Sequence, residues 1–153
     1  MKEIKGSLLG KGKKIAIVVS SFNEVISRNL LQGCIDTLKK CGTEDKDISI
    51  YWTPGAFEIP LICFKLSSSK KYDAIISLGA IIRGDTPHFD YIASSLMRSL
   101  QEISLKTHTP IILGVITAET EEQALERAGI KKENRGREAA LAALEMANLN
   151  SKI

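Results

Sequence analysis

The stretch "YDAIISLGAIIRGDTPHFDY", Tyr72 to Tyr91, decides the fold class, because a strand pattern gives way to a helix pattern within it. Its first half is an almost continuous apolar run, which is typical of a parallel strand covered on both faces of its sheet. A glycine-containing turn follows. Thr86 and Pro87 then predict a helix start, with the threonine as cap and the proline in the first helical position. Unpaired backbone N–H groups converge at a helix start, so the stretch predicts an anion site beside His88.

The same alternation of strand and helix extends over the rest of the chain. Short apolar or alternating runs predict strands over 14–20, 47–52, 72–82 and 110–117. Helical spacing of apolar residues predicts helices over about 26–41, 57–66, 86–103, 120–129 and 134–149. This repeated order predicts an α/β fold in one domain, residues 1–153, with a four-stranded, mainly parallel sheet between two layers of helices. Such a three-layer sandwich is flavodoxin-like, and its ligands bind at the carboxyl ends of the strands.

Local signals mark where two of these helices begin. Asn23 stands where an N-cap would start the first helix, and Gly42 predicts a left-handed cap at the end of the same helix. Thr120 and Gln123 have the spacing of a capping box for the fourth helix. Both predicted starts follow directly on strand ends, so they lie at the edge of the sheet where a ligand is expected.

Composition indicates an ordinary globular protein of 153 residues, with 44% hydrophobic and 25% charged residues. The net charge of +3, from 21 basic and 18 acidic side chains, is too small to indicate a nucleic-acid partner. Three cysteines fit neither an even disulfide framework nor a paired metal site. The first residues lack the apolar core of a signal peptide, and no apolar run approaches the roughly 20 residues that span a bilayer. We therefore expect a cytoplasmic protein that is not bound to a membrane.

Four side chains have chemistry of their own, three beyond predicted strand ends and one in the last turn of the fourth helix. The residues alone leave two interpretations open for each. Phe22 either closes the core or stacks on a planar ligand. Glu58 either complements a helix N-terminus or accepts hydrogen bonds from a hydroxyl-rich ligand. His88 either bonds locally at the helix start or exchanges protons near neutral pH. Arg127 either interacts with the negative end of the helix dipole or contacts the ligand. The second histidine, His108, is expected at the surface.

Several familiar kinds of site are disfavoured by the same residues. Gly79 and Gly84 fit neither a Walker motif nor the G-x-G-x-x-G fingerprint, so a dinucleotide site is not indicated. Asp85 would repel a phosphate, so we expect it to contribute its backbone N–H while its side chain points away or pairs with Arg83. The two histidines lie far apart without clustered carboxylates, which disfavours a metal site. No nucleophilic serine, cysteine or lysine stands out for covalent catalysis.

Six motifs together identify a family. They are "SFN" (21–23), "PGAFEIP" (54–60), "YDAIISLGAIIRGDTPHFDY" (72–91), "PIILGVIT" (110–117), "EQALERAG" (122–129) and "EMANLN" (145–150). In these motifs, and over nearly its whole length, the chain resembles the 6,7-dimethyl-8-ribityllumazine synthase family. The resemblance implies condensation of 5-amino-6-(D-ribitylamino)uracil with 3,4-dihydroxy-2-butanone 4-phosphate, the penultimate step of riboflavin biosynthesis. It implies no metal and no redox cofactor.

The resemblance also implies roles for individual residues. His88 falls at the proton-transfer position, and Phe22 at the position that stacks on the pyrimidine. The remaining substrate-binding positions on the pyrimidine and ribityl side are Ala56, Phe57, Glu58, Ala80, Ile81, Ile82 and Leu113, with the strand end at 80–82 binding through its backbone. Asp85, Thr86 and Arg127 fall at the phosphate-binding positions, and Arg135 at an auxiliary position.

Three positions depart from the family pattern, and all three bear on affinity more than on reaction type. Leu113 stands where the family often has an aromatic residue that covers the ligand. Arg135 stands where some relatives carry lysine. Ser21 stands where arginine is common.

The family resemblance implies an assembly of subunits. Family members form pentamers, and some form hollow shells of twelve pentamers, with active sites between neighbours and positions 113 and 127 reaching across. We therefore expect a homopentamer, with the first ten residues adding a strand to a neighbour's sheet. The connection 129–136 has the length seen in shell-forming members but lacks a glycine before Asn134, so it favours the 60-subunit shell only weakly. Association with riboflavin synthase is a further expectation. The alternative function is a non-catalytic assembly that holds a lumazine or flavin.

Overall fold

The structure is a computed structural model that describes residues 1–129 and 132–153. Its strands are β1 (Ile15–Ser20), β2 (Ile48–Thr53), β3 (Ala74–Ile82) and β4 (Ile111–Ala118). Its α-helices are α1 (Glu24–Lys40), α2 (Ile59–Ser68), α3 (His88–Thr107), α4 (Glu121–Arg127) and α5 (Arg135–Asn150). The strands form one sheet in the order β2-β1-β3-β4, and every neighbouring pair is parallel. The predicted flavodoxin-like α/β fold is confirmed.

Two apolar cores cover the two faces of the sheet, and β1 contributes to both by strict alternation. Ile15, Ile17 and Val19 pack on the side of α1, α4 and α5, whereas Ala16 and Val18 pack on the side of α2 and α3. All six residues of β1 are buried, as expected for a central strand covered on both faces. The three-layer arrangement leaves the carboxyl ends of the strands open along one edge.

Two predicted helix starts differ from the structure in detail. Asn23 does precede α1, but it has a left-handed backbone with φ 58° and its side chain caps no N–H. The residue before α3 is Pro87 and not Thr86, since the Pro87 carbonyl accepts from Asp90 and Tyr91 and no side chain caps this end. The prediction of Thr86 as a cap was wrong because the proline, which has no N–H to cap, lies one position outside the helix.

Other boundary predictions are confirmed. Gly42 ends the first helix with φ 98°, in the left-handed region. Thr120 Oγ1 accepts from the Gln123 N–H at 3.2 Å, which is the first half of a capping box. The second half is displaced by one residue, since Gln123 Oε1 accepts from the N–H of Glu119 at 2.9 Å. The first turn of α4 is therefore held from both sides.

The first ten residues form no strand and lie against α5 of the same chain. Asn148 Nδ2 donates to the carbonyls of Ser7 and Leu9, each at 3.0 Å, and Lys152 Nζ donates to the carbonyl of Lys5 at 2.6 Å. Addition of this segment to a neighbour's sheet stays a prediction. The prediction of a 60-subunit shell depended on the connection 129–136. Residues 130–131 of that connection lie outside the described residues.

A close crossing of α1 and α5 gives a stability prediction. A Cβ on Gly136 would collide with the carbonyl oxygen of Leu30, a rigid backbone atom of α1. We expect Gly136→Ala to lower the free energy of unfolding by about 1–2 kcal/mol, because overpacking costs about 1–3 kcal/mol and the better helix propensity of alanine returns up to ~1 kcal/mol. Denaturant unfolding at one protein concentration measures the change. Gly84→Ala is the control, since nothing lies within 4 Å of its Cβ position, and equal stabilities of the two variants would contradict the prediction.

Candidate active site

A cavity of about 280 Å³ opens at the carboxyl ends of β1, β2 and β3, beside the start of α3. It lies at the edge of the sheet where the fold predicts a ligand. Its lining residues are Phe22, Gly55, Ala56, Phe57, Glu58, Ala80, Ile81, Ile82, Gly84, Thr86, His88, Phe89 and Ile92. Nine of the residues predicted for the site from sequence are therefore brought together in one place.

Phe22 forms one wall of this cavity and is held there by the backbone. The N–H of Ser21 donates to the carbonyl of Thr53 at 2.8 Å, and the N–H of Phe22 donates to that of Pro54 at 3.1 Å. These bonds continue the β1–β2 pairing for two residues beyond the strands. The Phe22 residue is 69% exposed, so it does not close the core. Its ring is available for stacking on a planar ligand.

Ala56, Phe57 and Glu58 form a short 3₁₀ turn that leads into α2. Phe57 is 68% exposed and therefore leaves a second large apolar side chain at the rim of the cavity. Glu58 is the residue before α2, and its side chain caps no N–H of that helix. Its carboxylate thus lies both at a helix N-terminus and at the cavity, so the two sequence interpretations of Glu58 are compatible.

The end of β3 offers backbone groups to the cavity. Pairing between β1 and β3 stops at Val19 and Leu78, whereas β3 continues to Ile82 and pairs with β4 through Ala118. The edge of residues 79–82 that would face β1 therefore has no strand partner there. Because the side chains at 80–82 are apolar, the polar groups that they present are backbone N–H and C=O.

His88 is the first residue of α3 and lies exposed at the cavity, with Thr86 just before it. Asp85 is also exposed but is not among the residues that line the cavity. The expected pairing of Asp85 with Arg83 is not what the structure shows. Arg83 instead pairs with Asp90 and Glu119. His108 is exposed at the end of α3, as expected.

Leu113, Arg127 and Arg135 lie apart from this cavity. They line a second one of about 230 Å³ beside β4, with Met97, Val115, Ile116 and Thr117. Arg127 Nη1 donates to the carbonyl of Thr117 at 2.6 Å, which fixes the guanidinium at the end of β4. Arg135 pairs with Glu138 at 3.2 Å. The predicted site residues of one chain thus form two groups, with the two arginines separated from His88.

Four residues of the first cavity were not predicted as site residues. Phe89 and Ile92 are partly buried residues of α3 that pack against the core, and both also line the cavity. Gly55 and Gly84 line it with backbone alone. The sequence could have indicated Gly55 and Gly84, which directly precede "AFE" and "DTPH", because a residue without a side chain lets a ligand approach the backbone.

The thiols do not contribute to either cavity. Cys34 and Cys63 are fully buried, and burial raises the pKa of the Cys63 thiol to about 12. Within residues 1–129 and 132–153, no group of three or more histidine, cysteine, aspartate or glutamate side chains is placed to hold a metal ion. In the same residues, no helix combines the length and the apolar character needed to cross a bilayer.

A comparison with protein families agrees with this geometry. The sequence model of the 6,7-dimethyl-8-ribityllumazine synthase family matches residues 12–151, which is nearly the whole chain. The match includes β1 to β4, every helix from α1 to α5, and both cavities. The chain therefore belongs to the 6,7-dimethyl-8-ribityllumazine synthase family, the enzymes of the condensation step of riboflavin biosynthesis.

Proposed function

We propose that the cavity at the carboxyl ends of β1 to β3 binds the pyrimidine substrate and that His88 transfers protons there. The observation that carries this proposal is the presence of an exposed aromatic ring, an unpaired strand edge and an imidazole in one cavity. Phe22 stacks on the pyrimidine, and the backbone of residues 80–82 bonds its polar edge. Ala56, Phe57 and Glu58 border the ribityl chain, whose hydroxyl groups suit the carboxylate of Glu58.

The reaction requires proton transfer at several steps, and we assign this role to His88. The amine of the pyrimidine adds to the ketone carbon, and loss of water gives a Schiff base. Loss of the C3 proton and of phosphate from C4 then leaves an enol, which tautomerises to a new carbonyl at C3. The ribitylamino nitrogen adds to that carbonyl to close the ring, and a second water is lost. An exposed imidazole at the cavity can accept a proton from the attacking nitrogen and return it to a departing oxygen. Asp85 and Thr86, just before α3, are proposed to bind the phosphate through backbone N–H groups.

We propose that each complete site is shared by two subunits of a homopentamer. One subunit supplies the cavity with His88, and its neighbour supplies Leu113, Arg127 and the auxiliary Arg135. Support comes from the division of these residues between two cavities. Among the described residues, no lysine or arginine lines the first cavity to pair with a phosphate near Thr86, whereas Arg127 and Arg135 line the second. Exposed apolar side chains also line both cavities, Phe22 and Phe57 in the first and Leu113 in the second. Each subunit is one domain, residues 1–153, and the assembly acts in the cytoplasm.

The test is a direct condensation assay. Purified protein is mixed with both substrates, and lumazine absorbance is followed against a protein-free control. Acceleration that saturates in both substrates supports the proposal. Binding of lumazine without acceleration would instead support the non-catalytic assembly. Mass measurement of the particle in the same buffer tests the pentamer, and a monomer with full activity would contradict the shared site.

A further inference from the structure

Arg83, the first residue after β3, is at the centre of a polar network beside the cavity. Its Nε donates to Glu119 at 2.6 Å, and its Nη1 and Nη2 donate to the two carboxylate oxygens of Asp90, each at 3.2 Å. Its Cζ lies 4.4 Å from the centre of the Phe89 ring. Its backbone N–H donates to the carbonyl of Ala118 at 2.9 Å. Both the backbone and the guanidinium of Arg83 are therefore fixed.

These contacts reach the first turn of α3, whose start has no side-chain cap. No side chain caps the start of α3, and the residue at its cap position, Pro87, has no N–H of its own. Free helix ends fray when their backbone groups lack partners. Asp90 and Phe89 are in this turn with His88, and Arg83 holds both of them. The other arm of the network ends on Glu119, in the turn between β4 and α4.

The chemistry of arginine explains why this position suits it. A planar guanidinium can bond a carboxylate with two parallel N–H groups while one face stacks on an aromatic ring, and lysine can do neither in the same way. The side chains of Asp90 and Glu119 are each 59% exposed. Exposed ion pairs add little to overall stability. The network therefore fixes local geometry more than it stabilises the fold.

We propose that Arg83 is a positioning residue for the condensation: it locks the first turn of α3 and thereby holds the His88 imidazole over the cavity. The proposal rests on the proton-transfer role of His88 given above. Arg83 itself does not line the cavity, so it acts through Asp90 and Phe89 and not on the substrate. The arm to Glu119 ties the same turn to the strand end that carries Thr117, the partner of Arg127.

The kinetic test is a double-mutant cycle of Arg83→Gln and His88→Ala. Misplacement of a catalytic group by about 1 Å can cost up to ~100-fold, so Arg83→Gln is expected to lower kcat by about 10–100-fold with little change in KM for the pyrimidine. In the His88→Ala background the same change is expected to have no further effect. Arg83→Lys should recover only part of the loss, because it keeps the charge without the bidentate contact. Asp90→Asn, which leaves Glu119 in place, should behave like Arg83→Gln.

Arg28→Gln is the matched control. Arg28 likewise pairs with a carboxylate, Glu24 at 2.6 Å, and lies over an aromatic ring, Trp52 at 5.1 Å, but it does not line the cavity. It should leave kcat unchanged. An unchanged kcat in Arg83→Gln, or an equal loss with and without His88, would overturn the proposal.

A second measurement does not depend on turnover. Hydrogen exchange of the peptide that covers the first turn of α3 should be faster in Arg83→Gln than in the parent protein, and unchanged in Arg28→Gln. Equal exchange in all three proteins would overturn the positioning role even if the protein proved inactive. Conversely, full activity of His88→Ala alone would refute the proposed function of His88 while the exchange data still decide whether Arg83 holds the turn.

Discussion

His88→Ala is expected to slow the condensation by about 10²–10⁴-fold, the usual loss when a positioned acid–base group is removed. His88 begins α3 and lines the cavity together with Phe22. The alanine variant keeps the stacking wall at Phe22 and the backbone edge of β3. Binding of the pyrimidine should therefore change less than kcat, and steady-state rates in both substrates measure the two effects separately.

The other histidine of the chain provides the control. His108 is exposed at the far end of the same helix and has a left-handed backbone with φ 56°. Asparagine tolerates that conformation better than alanine, so His108→Asn is the appropriate variant. Asn150 bonds to the His108 backbone carbonyl, which the substitution retains. Wild-type rates are expected for His108→Asn, and wild-type rates for His88→Ala would remove His88 from the mechanism.

The sequence predicted the position of the cavity well because its determinants are local. Each strand is followed by its helix, and parallel strands bring their carboxyl ends to one edge. Phe22, Glu58 and His88 each follow a strand end in the sequence, so their meeting follows from topology alone. The start of α3 was misplaced by one residue because Thr86 and Pro87 are both common at helix starts, and only the backbone decides between them.

The side-chain partners of Arg83 could not be predicted from the sequence. Its partner Glu119 is distant in the chain and comes close only because Ile82 pairs with Ala118 in the β3–β4 register. Sequence spacing suggested the nearby Asp85 as the partner, whereas the helix direction presents Asp90. Side-chain pairing between elements depends on register and helix direction, which periodicity does not determine.

Arg127→Ala is expected to raise KM for the butanone phosphate by roughly 10–100-fold, since a hydrogen bond to a charged group contributes about 1.5–3 kcal/mol. KM for the pyrimidine should change little, which provides an internal control within one data set. For Arg127→Lys, we expect a KM for the butanone phosphate between those of the parent protein and Arg127→Ala, because an ammonium group keeps the charge but not the bidentate geometry. An unaltered dependence on butanone phosphate concentration would reject Arg127 as a phosphate ligand.

The position of Arg127 makes this variant a test of the shared site as well. Arg127 bonds to Thr117 beside β4, in a different cavity from that of His88. If neighbouring subunits combine the two cavities, His88→Ala and Arg127→Ala subunits that are unfolded together and reassembled should regain activity. Random mixing of equal amounts gives about one quarter of the sites both native residues, so activity should return to about a quarter of the parent value. Reassembly of each variant alone is the control. No recovery in a mixed particle of the parent mass would mean that each chain uses its own His88 and Arg127.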